Sequence, residues 1–102
     1  MNKKIVLAIF LFIFPLSSYA ANERVTDVYS CGPNIGLKIE NIGWVVALES
    51  EIGEKRVDRI LSMGLMLLAT QNPIGFINPQ PLDRWCGIND VQRITVLRVT
   101  RP

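Results

Sequence analysis

The sequence predicts a small, mainly β domain that carries one long helix. Two observations lead there. Short stretches rich in β-branched and alternating apolar residues are separated by Gly, Pro and Asn, and a single stretch, residues 54–71, repeats its apolar residues at helical spacing. A third bounds the size, because a chain of 102 residues has room for one core.

The first twenty residues specify an address. Lys3 and Lys4 precede an apolar run over residues 5–14, followed by Pro15 and by Ser18-Tyr19-Ala20, the pattern of a secretory signal peptide cut after Ala20. About ten apolar residues are too few to span a bilayer. No later stretch is long enough to act as a stop, so no membrane span is expected after cleavage; an uncleaved anchor is the alternative. The remaining residues, 21–102, number 102 − 20 = 82 and form a single domain. A domain of that size buries only about 60% of its unfolded surface and commonly needs a staple or a partner.

Loss of Lys3 and Lys4 leaves nine basic residues (11 − 2) against nine acidic ones, a net charge of zero. A neutral chain has no surplus of cations for phosphate, and no nucleic acid is expected as a partner. Both cysteines, Cys31 and Cys86, lie in the exported part, where an oxidising compartment, periplasmic or extracellular, favours a disulfide. Two free thiols are the alternative, with no His in the chain to activate either.

The elements follow in order. Residues 25–31 are rich in β-formers and are broken by Gly32-Pro33-Asn34, which gives a first strand and a turn. Ile35, Leu37 and Ile39 alternate with Gly36, Lys38 and Glu40, a second strand with one wet face. After the turn Asn41-Ile42-Gly43, residues 44–49 form a third strand paired back as a hairpin. Residues 49–54 are polar, with Ser50 or Gly53 as a cap, and the helix then runs to Gln71, stopped at Asn72-Pro73. Residues 74–77 make a short fourth strand. Asn78-Pro79-Gln80-Pro81 and the stretch Leu82-Asp83-Arg84-Trp85-Cys86-Gly87-Ile88-Asn89-Asp90 read as a loop held at Cys86, and residues 91–99 close the chain as a fifth strand. Three strands, a helix and two strands at this length is the order of the five-stranded OB-fold barrel, whose helix plugs one end.

Catalytic chemistry finds little support. The absence of His removes the commonest general base near neutral pH and the commonest metal ligand. Ser30, Ser50 and Ser62 have no nearby base. Asp83 with Asp90, or Glu49 with Glu51, are the only carboxylate pairs of interest, and they read as solvated surface acids. No phosphate-cradling glycine loop, metal set or cofactor motif is found. No enzyme, cofactor or metal is expected.

Two features suggest binding. On the helix, Met63, Met66, Leu67 and Ala69 extend apolar surface beyond the stripe of Val57, Ile60, Leu61, Leu65 and Leu68. A partner protomer covering Met63, Met66 and Leu67 is one reading, and a wide core stripe with tolerated surface methionines is the other. In the late loop, Trp85 is placed to stack on a sugar ring while Asn78, Gln80, Asp83 and Asn89 exchange hydrogen bonds with hydroxyls. The competing reading makes Trp85 a packing residue over the disulfide.

The layout resembles the B subunits of bacterial AB toxins of the cholera and Shiga types. The shared features are a signal peptide, an early cysteine, short strands, the helix "EKRVDRILSMGLMLLATQNPI", then a strand, a second cysteine and the ending "DRWCGINDVQRITVLRV". Trp85 precedes Cys86, whereas the cholera-type tryptophan follows its cysteine. The resemblance implies a ring of protomers, a pentamer, with helices lining the centre, binding to cell-surface glycans and a toxin A subunit as partner. The expected function is thus a secreted, non-enzymatic, glycan-binding oligomer. A monomeric periplasmic inhibitor or immunity protein that blocks a partner enzyme is the alternative.

Overall fold

A computed structural model describes residues 23–99, so the expected signal peptide lies outside the described residues. The elements are β1 (Val25–Cys31), β2 (Asn34–Ile39), β3 (Gly43–Ala47), α1 (Glu49–Ile52), α2 (Glu54–Thr70), β4 (Phe76–Ile77), β5 (Gln80–Trp85), β6 (Ile88–Arg93) and β7 (Leu97–Arg98). The domain is mainly β with one main helix, as the patterning predicts. Its principal sheet has the order β1-β2-β3-β6-β5, and β4 pairs with β7 in a separate two-stranded sheet.

The first three strands form an antiparallel meander. Cys31 opposes Asn34 across the two-residue turn Gly32-Pro33, where the positive φ of Gly32 followed by the fixed φ of proline suits a primed hairpin turn. Period-two alternation sends Ile35, Leu37 and Ile39 of β2, with Val45 and Ala47 of β3, into the main core. That core is completed by Val57, Ile60 and Leu67 of α2 and by Ile74, Ile77, Ile94 and Leu97 around the small sheet. Gly64 lets the helix approach closely: a Cβ there would lie 2.5 Å from Leu37 Cδ2.

The polar residues after β3 form the short helix α1, an element the patterning does not predict. Its first N–H, from Glu49, donates to Asn34 Oδ1 at 2.8 Å, so a side chain from β2 supplies a cap that Leu48 lacks. Gly53, with φ of 90°, separates α1 from α2. The long helix ends at Thr70, and Gln71 caps it in the left-handed region, its N–H on Leu67 O and its Nε2 on Leu68 O and Val25 O.

The second half departs from the expected single loop and strand. Residues 80–93 form a hairpin, β5–β6, that turns at Cys86-Gly87, both with positive φ (46° and 83°), the signature of a type I′ turn. Pro81 is accommodated because β5 is an edge strand. The expected strand over residues 91–99 is interrupted after Arg93. Asn78 is the cause: its Oδ1 accepts the N–H groups of Thr95 (3.0 Å) and Val96 (2.9 Å), and its Nδ2 donates to Thr95 Oγ1 (2.8 Å). These bonds lead the chain out of the first sheet and into the pairing with β4. β6 joins β3 in parallel, through Val45↔Gln92 and Val46↔Arg93 alone.

A disulfide joins Cys31 to Cys86 with a Cα–Cα distance of 6.6 Å. These residues belong to the hairpins at opposite edges of a five-stranded sheet, which in a flat sheet lie about 19 Å apart at ~4.8 Å per strand. The sheet is therefore rolled until its edges nearly meet at one end. No ladder joins β1 to β5 among the described residues, so the roll is not a closed barrel.

Candidate functional site

Rolling the sheet creates a second, smaller core on the face opposite α2. Val46, Trp85 and Val91 are buried there, with Cys31, Trp44, Leu48, Leu82 and Ile88 packed around them. Trp85 is only 7% exposed. Its ring lies directly on β2, where a Cβ at Gly36 would sit 2.7 Å from Cζ3, and it meets the Tyr29 ring edge-on at 5.2 Å. Tyr29 also meets Trp44 edge-on, at 5.9 Å. Of the two readings of Trp85, packing is the one this geometry supports, because a ring held against backbone presents no face to a sugar. Its Nε1–H is buried without an acceptor among the described residues, a cost of about 1–3 kcal/mol.

The other residues expected in the site are dispersed. Asn78 is half-buried, and its amide is occupied by Thr95 and Val96. Gln80, Asp83 and Asn89 are exposed on the β5–β6 hairpin. Asp83 lines a cleft of about 460 Å³ together with Pro81, Leu82, Asp90, Val91 and Gln92. Asp83 (φ 89°) and Asp90 (φ 58°) both occupy the left-handed half of backbone space, where a bulge at Asp83 shifts the register of the pair. The cleft thus has an apolar base, two carboxylates and one amide, a composition suited to an uncharged polyhydroxylated molecule: carboxylates accept from hydroxyls and the amide both donates and accepts. Of these only Asp83 was expected to contribute; Asp90 reads as a solvated surface acid in the sequence, and Pro81, Leu82, Val91 and Gln92 were not expected. The antiparallel register that opposes Pro81 to Gln92 and Asp83 to Val91 brings them in, and the Cys-Gly pair between Trp85 and Ile88 is the sequence signal for that hairpin.

The helix residues expected at a partner interface separate in the same way. Leu67 is fully buried in the domain's own core, because it shares the inward arc of α2 with Val57, Ile60 and Gly64. Met63 is half-buried against that core. Met66 is 40% exposed and Leu65, expected in the core stripe, is 49% exposed. The outer face of α2 is thus apolar and small in its C-terminal half, with Leu65, Met66 and Ala69.

Charge divides the two flanks of α2. Glu54 and Asp58 line a cleft with Glu49 and Ser30 on one side, while Arg56 and Arg59 line another with Met63, Thr95 and Val96 on the opposite side. Arg56 also donates to Thr95 O at 2.7 Å. Arg93 pairs with Glu51, tying the end of β6 to α1. Among the described residues no group of three or more His, Cys, Asp or Glu is placed to hold a metal ion, and no helix is long and apolar enough to cross a membrane.

Fold and site together define a small, disulfide-stapled β domain with one long helix and a shallow mixed cleft on its edge hairpin. No family model matches the chain, and neither a search of curated proteins nor one of solved structures finds a match.

Proposed function

We propose that this chain is an exported, non-enzymatic binding module of the toxin B-subunit layout, which self-associates and holds a glycan in the β5–β6 cleft. The observation that carries the reading is that cleft: about 460 Å³, within the ~300–1,000 Å³ typical of small-molecule sites, with Asp83, Asp90 and Gln92 set around Pro81, Leu82 and Val91. The signal-peptide pattern and the disulfide between Cys31 and Cys86 support export into an oxidising compartment. The lack of His supports a role without acid–base chemistry.

Topology supports the OB-type barrel that the resemblance implies. A meander β1-β2-β3, a helix, and then β5 and β6 with β6 parallel to β3 is a five-stranded barrel order whose seam between β1 and β5 is bridged by a disulfide in place of a ladder. Self-association is supported by the exposed Leu65 and Met66 and by the opposed acidic and basic flanks of α2. Flanks of opposite sign complement each other head to tail, and a head-to-tail contact between identical chains generates a ring when it closes. The resemblance adds a toxin A-type chain as the partner of such a ring.

A glycan array probed with the oxidised protein, alongside light scattering, tests the reading. Glycan binding by an oligomer supports it. A strict monomer at micromolar concentration that binds no glycan, and that instead co-purifies with one periplasmic enzyme, assigns the inhibitor role.

A further inference from the structure

The β5–β6 hairpin is attached to the rest of the domain through the small second core and not through the main one. None of its residues belongs to the main core, which draws on β1–β3, on α2, and on Ile74, Ile77, Ile94 and Leu97. Its ladder to β3 has two residue pairs, reinforced by the bond from Ile94 N–H to Val46 O. Its remaining anchors are the Glu51–Arg93 ion pair, the disulfide, and the second core, where Trp85, Val91, Leu82 and Ile88 pack against Val46, Trp44 and Leu48 and the Trp85 ring meets Gly36 and Tyr29. Three of its non-glycine residues, Asp83, Cys86 and Asp90, are held at positive φ, and the Trp85 Nε1–H is buried without an acceptor among the described residues. The hairpin is closed in a conformation with local costs, and the disulfide at its tip is the one covalent tie besides the backbone at its base.

We infer that the Cys31–Cys86 disulfide is a redox latch: its reduction releases the β5–β6 hairpin as a unit and uncovers Gly36, Trp44 and Val46, while the main core stays folded. The reductant is a dithiol. Its thiolate attacks Sγ of Cys86, the exposed residue of the pair, Cys31 being half-buried. The S–S bond breaks, Cys31 leaves as a thiolate and takes up a proton, and a mixed disulfide joins the reductant to Cys86. The reductant's second thiol then attacks its own bonded sulfur and releases Cys86 as a thiol. The protein disulfide gains two electrons and two protons, and the dithiol becomes a cyclic disulfide.

Hydrogen exchange on the full exported chain, oxidised and after treatment with dithiothreitol under native conditions, tests the latch. Amide protection over residues 82–92 is expected to fall by about ten-fold or more on reduction, while protection in α2 over residues 57–67 changes by less than about two-fold. The double variant Cys31→Ser, Cys86→Ser is expected to reproduce the reduced pattern, and reduction of the native chain stands as the test where that variant does not fold. Undiminished protection of the hairpin after reduction overturns the inference. Loss of protection in α2 together with the hairpin also overturns it, since the disulfide is then a staple for the whole domain.

Discussion

Replacing Gly36 by alanine places a methyl group where the structure has an indole. The added Cβ would stand 2.7 Å from Trp85 Cζ3, 3.0 Å from Cη2 and 3.2 Å from Trp44 Cε3. Trp85 is buried and meets the ring of Tyr29, the cross-strand neighbour of Gly36, edge-on at 5.2 Å, which leaves the indole little room to shift. Overpacking of this kind costs about 1–3 kcal/mol. Alanine recovers about 0.5–1 kcal/mol through its lower backbone entropy in a strand, which leaves a net loss on the order of 1–2 kcal/mol. With a urea m-value of about 1 kcal/mol/M, the midpoint of unfolding should fall by about 1–2 M while m stays constant. The control is the same change in a Trp85→Leu background, which lacks Cζ3 and Cη2. There the methyl group has space, and the double-mutant cycle should return a coupling of at least about 1 kcal/mol. An unchanged midpoint for Gly36→Ala, or additive effects in the cycle, would mean that Trp85 does not lie on β2 and that the second core is wrongly described.

The remaining predictions concern other parts of the molecule. Asn78→Ala removes three hydrogen bonds to Thr95 and Val96 and should lower stability by about 1–3 kcal/mol in the same unfolding assay. Leu67→Ala should cost about 2–5 kcal/mol as a core truncation, whereas Met66→Ala should change stability by less than about 0.5 kcal/mol. The double variant Leu65→Ser, Met66→Ser should shift light scattering toward the monomer with little loss of stability if the outer face of α2 is an interface; an unchanged mass moves the contact elsewhere.

Much of the first half of the fold was legible in the residues. In β2, Ile35, Leu37 and Ile39 alternate without interruption, and in α2 Val57, Ile60, Gly64 and Leu67 keep one helical arc, so period alone identifies both elements. The second half resists the same reading. The bulge at Asp83 breaks the alternation of β5, and Pro79 and Pro81 suggest a loop because nothing local says that β5 is an edge strand. The break after Arg93 depends on Asn78, seventeen residues from Thr95, a tertiary bond with no periodic signature. The candidate site suffered most from this. Which face of Trp85 is covered depends on the roll that carries β5 over β2, so its burial is a property of the whole sheet. The cleft required the β5–β6 register before Gln92 could be placed beside Asp83.

The central claim is that ligand is held by the carboxylates of the hairpin cleft and that Trp85 only supports them. The most direct measurement is titration calorimetry of the best glycan from the array against the oxidised wild type, Asp83→Asn, Asp90→Asn and Trp85→Phe. Loss of about 1–3 kcal/mol of affinity in each aspartate variant, as expected when a charged hydrogen-bond acceptor is removed, with Trp85→Phe binding like the wild type, is the predicted result. Wild-type affinity in both aspartate variants, with binding abolished in a folded Trp85→Phe protein, contradicts it.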